Sequence, residues 1–255
     1  EWCIVDVHKD GKHYRQSYKI GVPDAALETI GDSQENGTTT TFKPDTDIFS
    51  TTKFEFATLQ RRLRELAFLN KGIEIVLVDE IQDQQGDYCY EGGLVSFCEY
   101  QAKGKNPLHT QPIYISNQTR DDQGKITGEL ECVLLWTDSY NESMYSYVNN
   151  IYTIEGGTHL TGLKASLTRV VNSLAEKNGL LKTFKDNITG DDIREGLVAI
   201  ISLRIKNPEF QGQTKTKLGS AEVRPWVESV TSDKLNQYFE QNPNSLKTIV
   251  GKIVD

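Results

Sequence analysis

The sequence has 255 residues and, glycine included, is about 45 % apolar, the lower edge of ordinary globular usage; a chain of this length hides roughly 70–75 % of its unfolded surface. Lys+Arg total 28 against 36 Asp+Glu, a net charge of −8, which argues against a stand-alone nucleic-acid binder with a basic domain, though not against one basic groove on an acidic surface. No apolar run approaches the roughly 18 residues of a membrane span, and Cys3, Cys89, Cys98 and Cys132 show neither CxxC spacing nor His partners at metal-ligand distance.

The pattern predicts one large or two medium α/β domains. Cys3–Val7 reads as a strand that turns at Asp10-Gly11 and returns through Tyr14–Ile20. The start at Glu1-Trp2-Cys3 lacks both an initiator Met and a basic leader, so the chain reads as an excised piece, with free thiols in a reducing cytoplasm. Thr38–Phe42 favours a strand through its β-branched threonines. An amphipathic helix follows, with Phe56, Leu59, Leu63, Leu66 and Ala67 on one stripe and Arg61, Arg62 and Arg64 off it. Gly72 stops that helix. Ile73–Val78 reads as a strand partly buried on both faces, and Glu91-Gly92-Gly93 as a domain boundary.

Beyond it, strands are expected at Ile113–Ser116, Glu129–Trp136 and Tyr145–Ile151. Glu155-Gly156-Gly157-Thr158 opens a long helix whose buried stripe is Leu160, Leu163, Leu167, Val170, Val171, Leu174 and Ala175, closed by Gly179. Thr189 caps a short helix with Asp191 and Asp192 in its first turn. Val198–Ile205 is a buried strand and Asn207–Gly219 a loop. A helix with Val223, Val227, Val230 and Leu235 follows, which Pro225 either kinks or starts later than Ser220.

The segment with most chemistry is Gln211-Gly212-Gln213-Thr214-Lys215-Thr216-Lys217, between a strand and a helix start. Such a start favours anions. Lys215 and Lys217 bring charges suited to a terminal phosphate, and Gln213 an amide donor. A solvated basic loop explains the same composition, since GxxxxGK[ST] spacing is absent. Thr38 follows the turn Asn36-Gly37 and offers a hydroxyl at a strand start. Asp45-Thr46-Asp47 has no third acid beside it, and a hard cation needs more carboxylates. His8, His13, His109 and His159 are scattered, with His159 read as a packing or capping residue. Lys164, Arg169, Lys177, Arg204 and Lys206 form either a solvated face or a lining for a phosphate backbone.

Several blocks together resemble one family. Arg61 to Gly72 spells RLRELAFLNKG after its first Arg, and Tyr90-Glu91-Gly92-Gly93, Val148-Asn149-Asn150-Ile151, Glu155 to Leu160, Arg194-Glu195-Gly196-Leu197 and Gln213 to Leu218 follow in order. The set is similar to the B subunit of bacterial DNA gyrase, and the B subunit of topoisomerase IV shares most of it. The resemblance implies a type IIA topoisomerase, an isomerase that uses ATP to pass one DNA duplex through another. It implies that residues 1–93 are the second half of a GHKL ATPase domain, and residues 94–255 a ribosomal-S5-like transducer. It also implies ATP and Mg²⁺ as cofactors of the intact protein, with none expected on this piece alone. The implied partners are double-stranded DNA, the gyrase A subunit in an A2B2 heterotetramer and aminocoumarin-type inhibitors, in the cytoplasm and away from membranes.

Carried over by position, Lys215 matches the lysine that reaches the γ-phosphate, Gln213 the glutamine beside it, and Thr38 the threonine on the adenine-pocket floor. Lys164 stands where some relatives carry an Arg lining the cavity for the transported duplex, and Lys9 where several carry an Arg that contacts aminocoumarins. An ammonium does not reproduce a guanidinium's planar fork. The family's general-base Glu, its Mg²⁺-binding Asn, its adenine-binding Asp and its glycine-rich lid have no counterpart here, so this piece alone is not expected to hydrolyse ATP. A non-enzymatic GHKL/S5-type interaction module is the alternative from another class.

Overall fold

A computed structural model describes residues 1–181 and 188–254. The chain divides into two compact units between Leu59 and Gln60. The first carries β1 (Trp2–Lys9), β2 (Lys12–Lys19), β3 (Val22–Pro23), β4 (Glu28–Asp32) and β5 (Gly37–Lys43). β1 and β2 pair antiparallel through Asp10 and Gly11, at φ 52° and 78°. Two left-handed residues make the turn whose twist matches that of the strands. β5 pairs with β1 on the other side and sets Thr38 opposite Val7. Asp6 is buried in this sheet, and Arg15 Nε and His13 Nε2 contact its Oδ1 at 2.8 and 2.6 Å. Those two bonds, Arg15's first, hold the Asp6 carboxyl below the usual carboxylate range. Asp45 uses its Oδ1 to accept the amide of Asp47, an Asx turn that accounts for this acid pair.

The division falls within α1 (Phe56–Leu69), which is followed by β6 (Ile75–Asp79), β7 (Gln84–Tyr88) and α2 (Leu94–Gln101). Next come β8 (Ile113–Arg120), β9 (Ile126–Trp136), β10 (Ser143–Val148), β11 (Ile151–Tyr152), α3 (Thr158–Lys177) and α4 (Gly190–Arg194). β12 (Leu197–Ile205), α5 (Val223–Gln241) and α6 (Pro243–Val254) complete the second unit. Its main sheet has the order β11-β10-β12-β9-β8, parallel only between β10 and β12.

Both faces of this sheet are covered. On one, Leu130, Cys132, Leu134, Trp136, Ala199 and Ile201 meet the apolar stripe of α3 together with α5 and α6. On the other, Val133, Leu135, Val198 and Ile200 meet Phe68 and Leu69 of α1 and Phe97 of α2. This two-sided burial explains why β12 is apolar without alternation. Leu163, Leu167 and Val171 are fully buried, and each such side chain contributes about 2 kcal/mol by burial. No helix among the described residues is long and apolar enough to cross a membrane.

Three local expectations change, and one open alternative is decided. The strand expected over Tyr145–Ile151 is a hairpin, because Asn149 and Asn150 at φ 50° and 64° turn the chain between Val148 and its partner Ile151. β6 is covered on one face only: Ile75 and Leu77 are half-buried, while Val76 and Val78 on the opposite face are exposed. On α1 the deepest residues are Ala67, Phe68 and Leu69, while Phe56, Leu59, Leu63 and Leu66 are half-buried. Of the two alternatives at Pro225 the later start holds, because α5 begins at Val223, beyond Ser220. That puts the proline in the first turn, where its missing N–H leaves no helix bond unmade.

Candidate functional site

The loop after β12 is built from its neck outward. Gly219 N–H donates to Glu209 O at 2.7 Å and Gln211 N–H to Lys217 O at 2.8 Å, with Phe210 bridged antiparallel to Leu218. These bonds close a narrow neck, and the tip beyond it turns at Gly212, φ 85°, and Lys215, φ 56°. Lys215 N–H donates back to Gly212 O at 3.4 Å, which leaves Gln213 and Thr214 at the crest. Gln213, Thr214 and Lys215 are exposed. A non-glycine residue in left-handed backbone is uncommon and costs energy that the surroundings must supply.

The base of this loop is fused to the start of α3. Glu155 N–H donates to Thr216 O at 3.0 Å, Leu218 N–H to Gly156 O at 3.0 Å, and Thr158 N–H to Leu218 O at 3.1 Å. Gly157 is therefore a parallel bridge partner of Leu218. The two sequence blocks Glu155–Leu160 and Gln213–Leu218, separated by more than fifty residues, form one ladder. Glycine is required there, since a Cβ on Gly157 would lie 2.4 Å from Leu218 O.

Beneath the ladder, His159 is fully buried at the start of α3. Its Nε2 lies 3.2 Å from Thr153 Oγ1, which in turn pairs with Ser146 Oγ at 2.7 Å. Nδ1 has no protein partner among the described residues. Burial brings this imidazole down to about 4, so it is neutral near pH 7 and serves as a packing residue.

The charged candidates separate by their neighbours. Lys164 donates to Glu142 Oε1 at 2.9 Å, and Arg194 donates through Nε to Glu142 Oε2 at 2.7 Å. Burial pushes the Glu142 carboxyl up, but the bonds from Lys164 and Arg194 outweigh it and hold the group below its ordinary range. Arg204 donates to Leu69 O at 2.9 Å and Asn70 Oδ1 at 3.0 Å, and lies 3.6 Å from Glu129. It thus caps the last turn of α1. Arg169 pairs with Glu228 and Lys177 with Glu240. Lys215 makes no ion pair among the described residues; its ammonium lies 5.9 Å from the ring centroid of Phe210.

Of the expected nucleotide-binding residues, the second unit therefore brings Gln213 and Lys215 onto one loop tip, while Thr38 belongs to β5 of the first unit. Lys164 and Arg204 do not share a surface neighbour: one sits on α3 beside Glu142, the other at the end of β12. Sequence reasoning missed Phe210, and it read Gly157 as a helix start without its pairing to Leu218. The first could have been found as the one aromatic beside a lysine-rich loop, the second only by pairing two distant blocks. Among the described residues no group of three or more His, Cys, Asp and Glu side chains is placed to hold a metal ion.

Comparison with known proteins places this geometry. The chain is 46 % identical over 252 residues to the DNA gyrase B subunit of Clostridium acetobutylicum, covering 99 % of this chain and 39 % of that relative. It thus spans well under half of that protein. The crystal structure of the 43K ATPase domain of Thermus thermophilus gyrase B, in complex with an aminocoumarin, superposes with a TM-score of 0.82 at 34 % identity, over 100 % of this chain and 68 % of that one. The topoisomerase IV ATP-binding domain of Francisella tularensis, in complex with a small-molecule inhibitor, superposes at 0.81 with 30 % identity, over 99 % and 67 % of the two chains. A family model described as DNA gyrase B matches residues 93–255, the stretch that holds the loop, its ladder and α3, and on these grounds the chain belongs to the DNA gyrase B family.

Proposed function

We propose that this chain is the nucleotide-sensing and transducing part of the B subunit of a type IIA topoisomerase, and that it couples ATP binding to DNA strand passage and negative supercoiling. In this reading residues 1–93 complete a GHKL-type ATPase domain and residues 94–255 are the S5-like transducer. The family match beginning at residue 93 supports that division. The observation that carries the reading is the fusion of an exposed, cationic loop tip to the start of α3 through the Gly157–Leu218 bridge.

Lys215 supplies a point charge for a terminal phosphate and Gln213 an amide donor beside it. Thr38 supplies a hydroxyl to the adenine side. When bound, ATP provides a phosphate group that hydrolysis removes. Lys215 thus has a charged partner in one state only, and a contact that differs between states is what shifts a conformational equilibrium. The neck bonds from Gln211 and Gly219 hold the base of the loop, so a movement of its tip reaches Leu218 and, through it, Gly157 and α3. α3 carries Lys164, the candidate for contact with a duplex phosphate backbone. Arg204, the second candidate, already uses its donors on α1.

The intact protein is proposed to use ATP together with Mg²⁺, and the described residues contribute the phosphate and adenine contacts named above. The intact protein is proposed to work in the cytoplasm with the gyrase A subunit and DNA, and to be inhibited by aminocoumarins; the aminocoumarin-bound Thermus relative supports the last point. The piece alone is proposed to be inactive.

The test is Lys215→Ala in the intact protein, reconstituted with the gyrase A subunit. ATP-driven supercoiling should fall on the order of a hundredfold, the usual cost of removing one group that meets developing or terminal charge. The circular dichroism spectrum should be unchanged, because the side chain is exposed. Normal supercoiling by the variant refutes the assignment. Relaxation without supercoiling by the unmodified complex would instead favour a topoisomerase IV protein, which the Francisella neighbour keeps open.

A further inference from the structure

We infer that Phe210 is a positioning residue for the sensor lysine: its ring is a resting perch on which Lys215 folds back, and from which the lysine must be displaced to meet a phosphate. The inference rests on the reading of Lys215 as a phosphate sensor and adds how that sensor is held when no phosphate is present.

Three observations carry it. First, the Lys215 ammonium lies 5.9 Å from the Phe210 ring centroid, within the range in which a cation is drawn to an aromatic face. Second, the perch is fixed. Phe210 is half-buried, packs against the main core of the second unit, and is bridged by its backbone to Leu218 in the neck. Third, Lys215 has no charged partner among the described residues. It is exposed and stands at φ 56° at the end of the loop's turn. The contrast with Lys164, which donates to a carboxylate at 2.9 Å, is chemical. A carboxylate neighbour would neutralise a sensor, whereas a ring holds the ammonium loosely and leaves its full charge for an anion.

The perch sits on the loop's own rising arm, five residues before the lysine. An ammonium held over the ring must leave it to make direct contact with a phosphate. Phosphate binding therefore competes with the ring, and the apparent affinity is lowered by the fraction of molecules in which the lysine is off its perch. Removing the ring face while keeping the apolar packing should raise affinity. A cation–π contact at an exposed site is worth a factor of about two to five.

The experiment uses calorimetry to measure binding of a non-hydrolysable ATP analogue to the full-length protein. Phe210→Leu should bind about two- to fivefold tighter. Phe210→Tyr, which keeps the ring face, should bind like the unmodified protein. In a Lys215→Gln background, which should itself weaken binding, Phe210→Leu should have no effect, because no ammonium remains to be held. Unchanged or weaker binding by Phe210→Leu in the presence of Lys215, with weakened binding by Lys215→Gln, overturns the perch and leaves the sensor standing. Unchanged binding by Lys215→Gln overturns both. A Phe210→Leu effect that persists in the Lys215→Gln background would show that the ring acts through packing, and the perch would again fail.

Discussion

Gly157 and Leu218 lie backbone to backbone, so closely that no side chain fits between them. Leu218 N–H donates to Gly156 O and Leu218 O accepts from Thr158 N–H, so Leu218 brackets Gly157 from both sides. A Cβ on Gly157 would stand 2.4 Å from Leu218 O and 2.5 Å from Leu218 N. Gly157 also has φ 133°, a conformation that side chains disfavour. The start of a 20-residue helix is thereby tied to the loop that carries Gln213 and Lys215. Two hydrogen bonds and a shared strand-like register form a stiffer link than side-chain packing, because the loop base cannot shift without breaking backbone bonds in a buried place.

Gly157→Ala should accordingly be among the most damaging substitutions in the chain. The clash is with backbone atoms, which cannot swing aside, and the φ adds strain. Overpacking and backbone strain each cost about 1–3 kcal/mol, so a loss of roughly 3 kcal/mol or more is expected in urea unfolding. Gly31→Ala is the matched control. It meets nothing within 4 Å at ordinary φ and should stay within about 0.5 kcal/mol of the parent. Equal stability of the two variants would mean that the Leu218 contact is not as tight as drawn.

The buried His159 gives a pH dependence with a definite sign. Burial lowers its value from the ordinary 6.5 to about 4, so the unfolded chain takes up this proton before the folded one does. The stability linked to it is fully present above about 6.5 and is lost as pH falls from there toward 4. The whole shift corresponds to about 3 kcal/mol, of which about 2 should be gone at pH 5. His159→Gln keeps a polar atom near Thr153 and removes the titration. Urea midpoints measured at pH 7.5 and 5.0 should fall more steeply for the parent than for this variant; parallel lines would rule His159 out as the source.

Much of this fold was readable from the sequence, and the failures have common causes. The stripe from Leu163 to Ala175 and the apolar run of β12 announced themselves because their periods match the buried faces. Thr189 caps α4 as its chemistry predicts, accepting the amide of Asp192 while Asp192 accepts the amide of Thr189. What was illegible is what depends on partners distant in sequence. α2 was missed because Leu94–Gln101 is short and only one side of it is buried, under β9 and β12. β6 reads as a strand partly buried on both faces, yet nothing among the described residues packs over the face that carries Val76 and Val78. The site shows the same limit. The lysines of the 211–217 loop were visible, but their fusion to Gly156-Gly157 was not, because a backbone ladder leaves no mark in either segment alone. Residue type could not reveal that Lys164 faces Glu142 while Lys215 faces a ring.

Glu142 stands between two cations, and its removal should be read on stability first. The Arg194 side chain is only 11 % exposed and relies on Glu142 at 2.7 Å and on Asp191. Glu142→Gln leaves a nearly buried guanidinium with one solvent-facing partner, an arrangement that should lower stability by about 2 kcal/mol. That is less than the loss of a fully buried pair, because Asp191 remains and water reaches Glu142. Asp191 is 93 % exposed, so Asp191→Asn should change stability by no more than about 0.5 kcal/mol. Thermal melts of the two variants would separate the roles, and a larger loss for Asp191→Asn would reverse the assignment.

Lys164 and Arg204 can be told apart by salt. A lysine that neutralises one DNA phosphate releases about one counterion, so Lys164→Gln in the intact protein should reduce the slope of log affinity against log salt by about 1. The effect on affinity itself should be modest. DNA must first displace Glu142 from Lys164, and an ion pair this accessible is worth about 1 kcal/mol or less. Arg204 should behave in the opposite way. Its guanidinium caps the carbonyl of Leu69 and the side chain of Asn70, so Arg204→Gln should cost about 1–2 kcal/mol of stability, as the loss of charged hydrogen bonds does. It should leave the salt slope unchanged. Filter binding of linear duplex over a range of salt concentrations, alongside melts of both variants, measures both quantities. A lowered slope for Arg204→Gln with an unchanged slope for Lys164→Gln would move the proposed DNA contact from α3 to the end of β12.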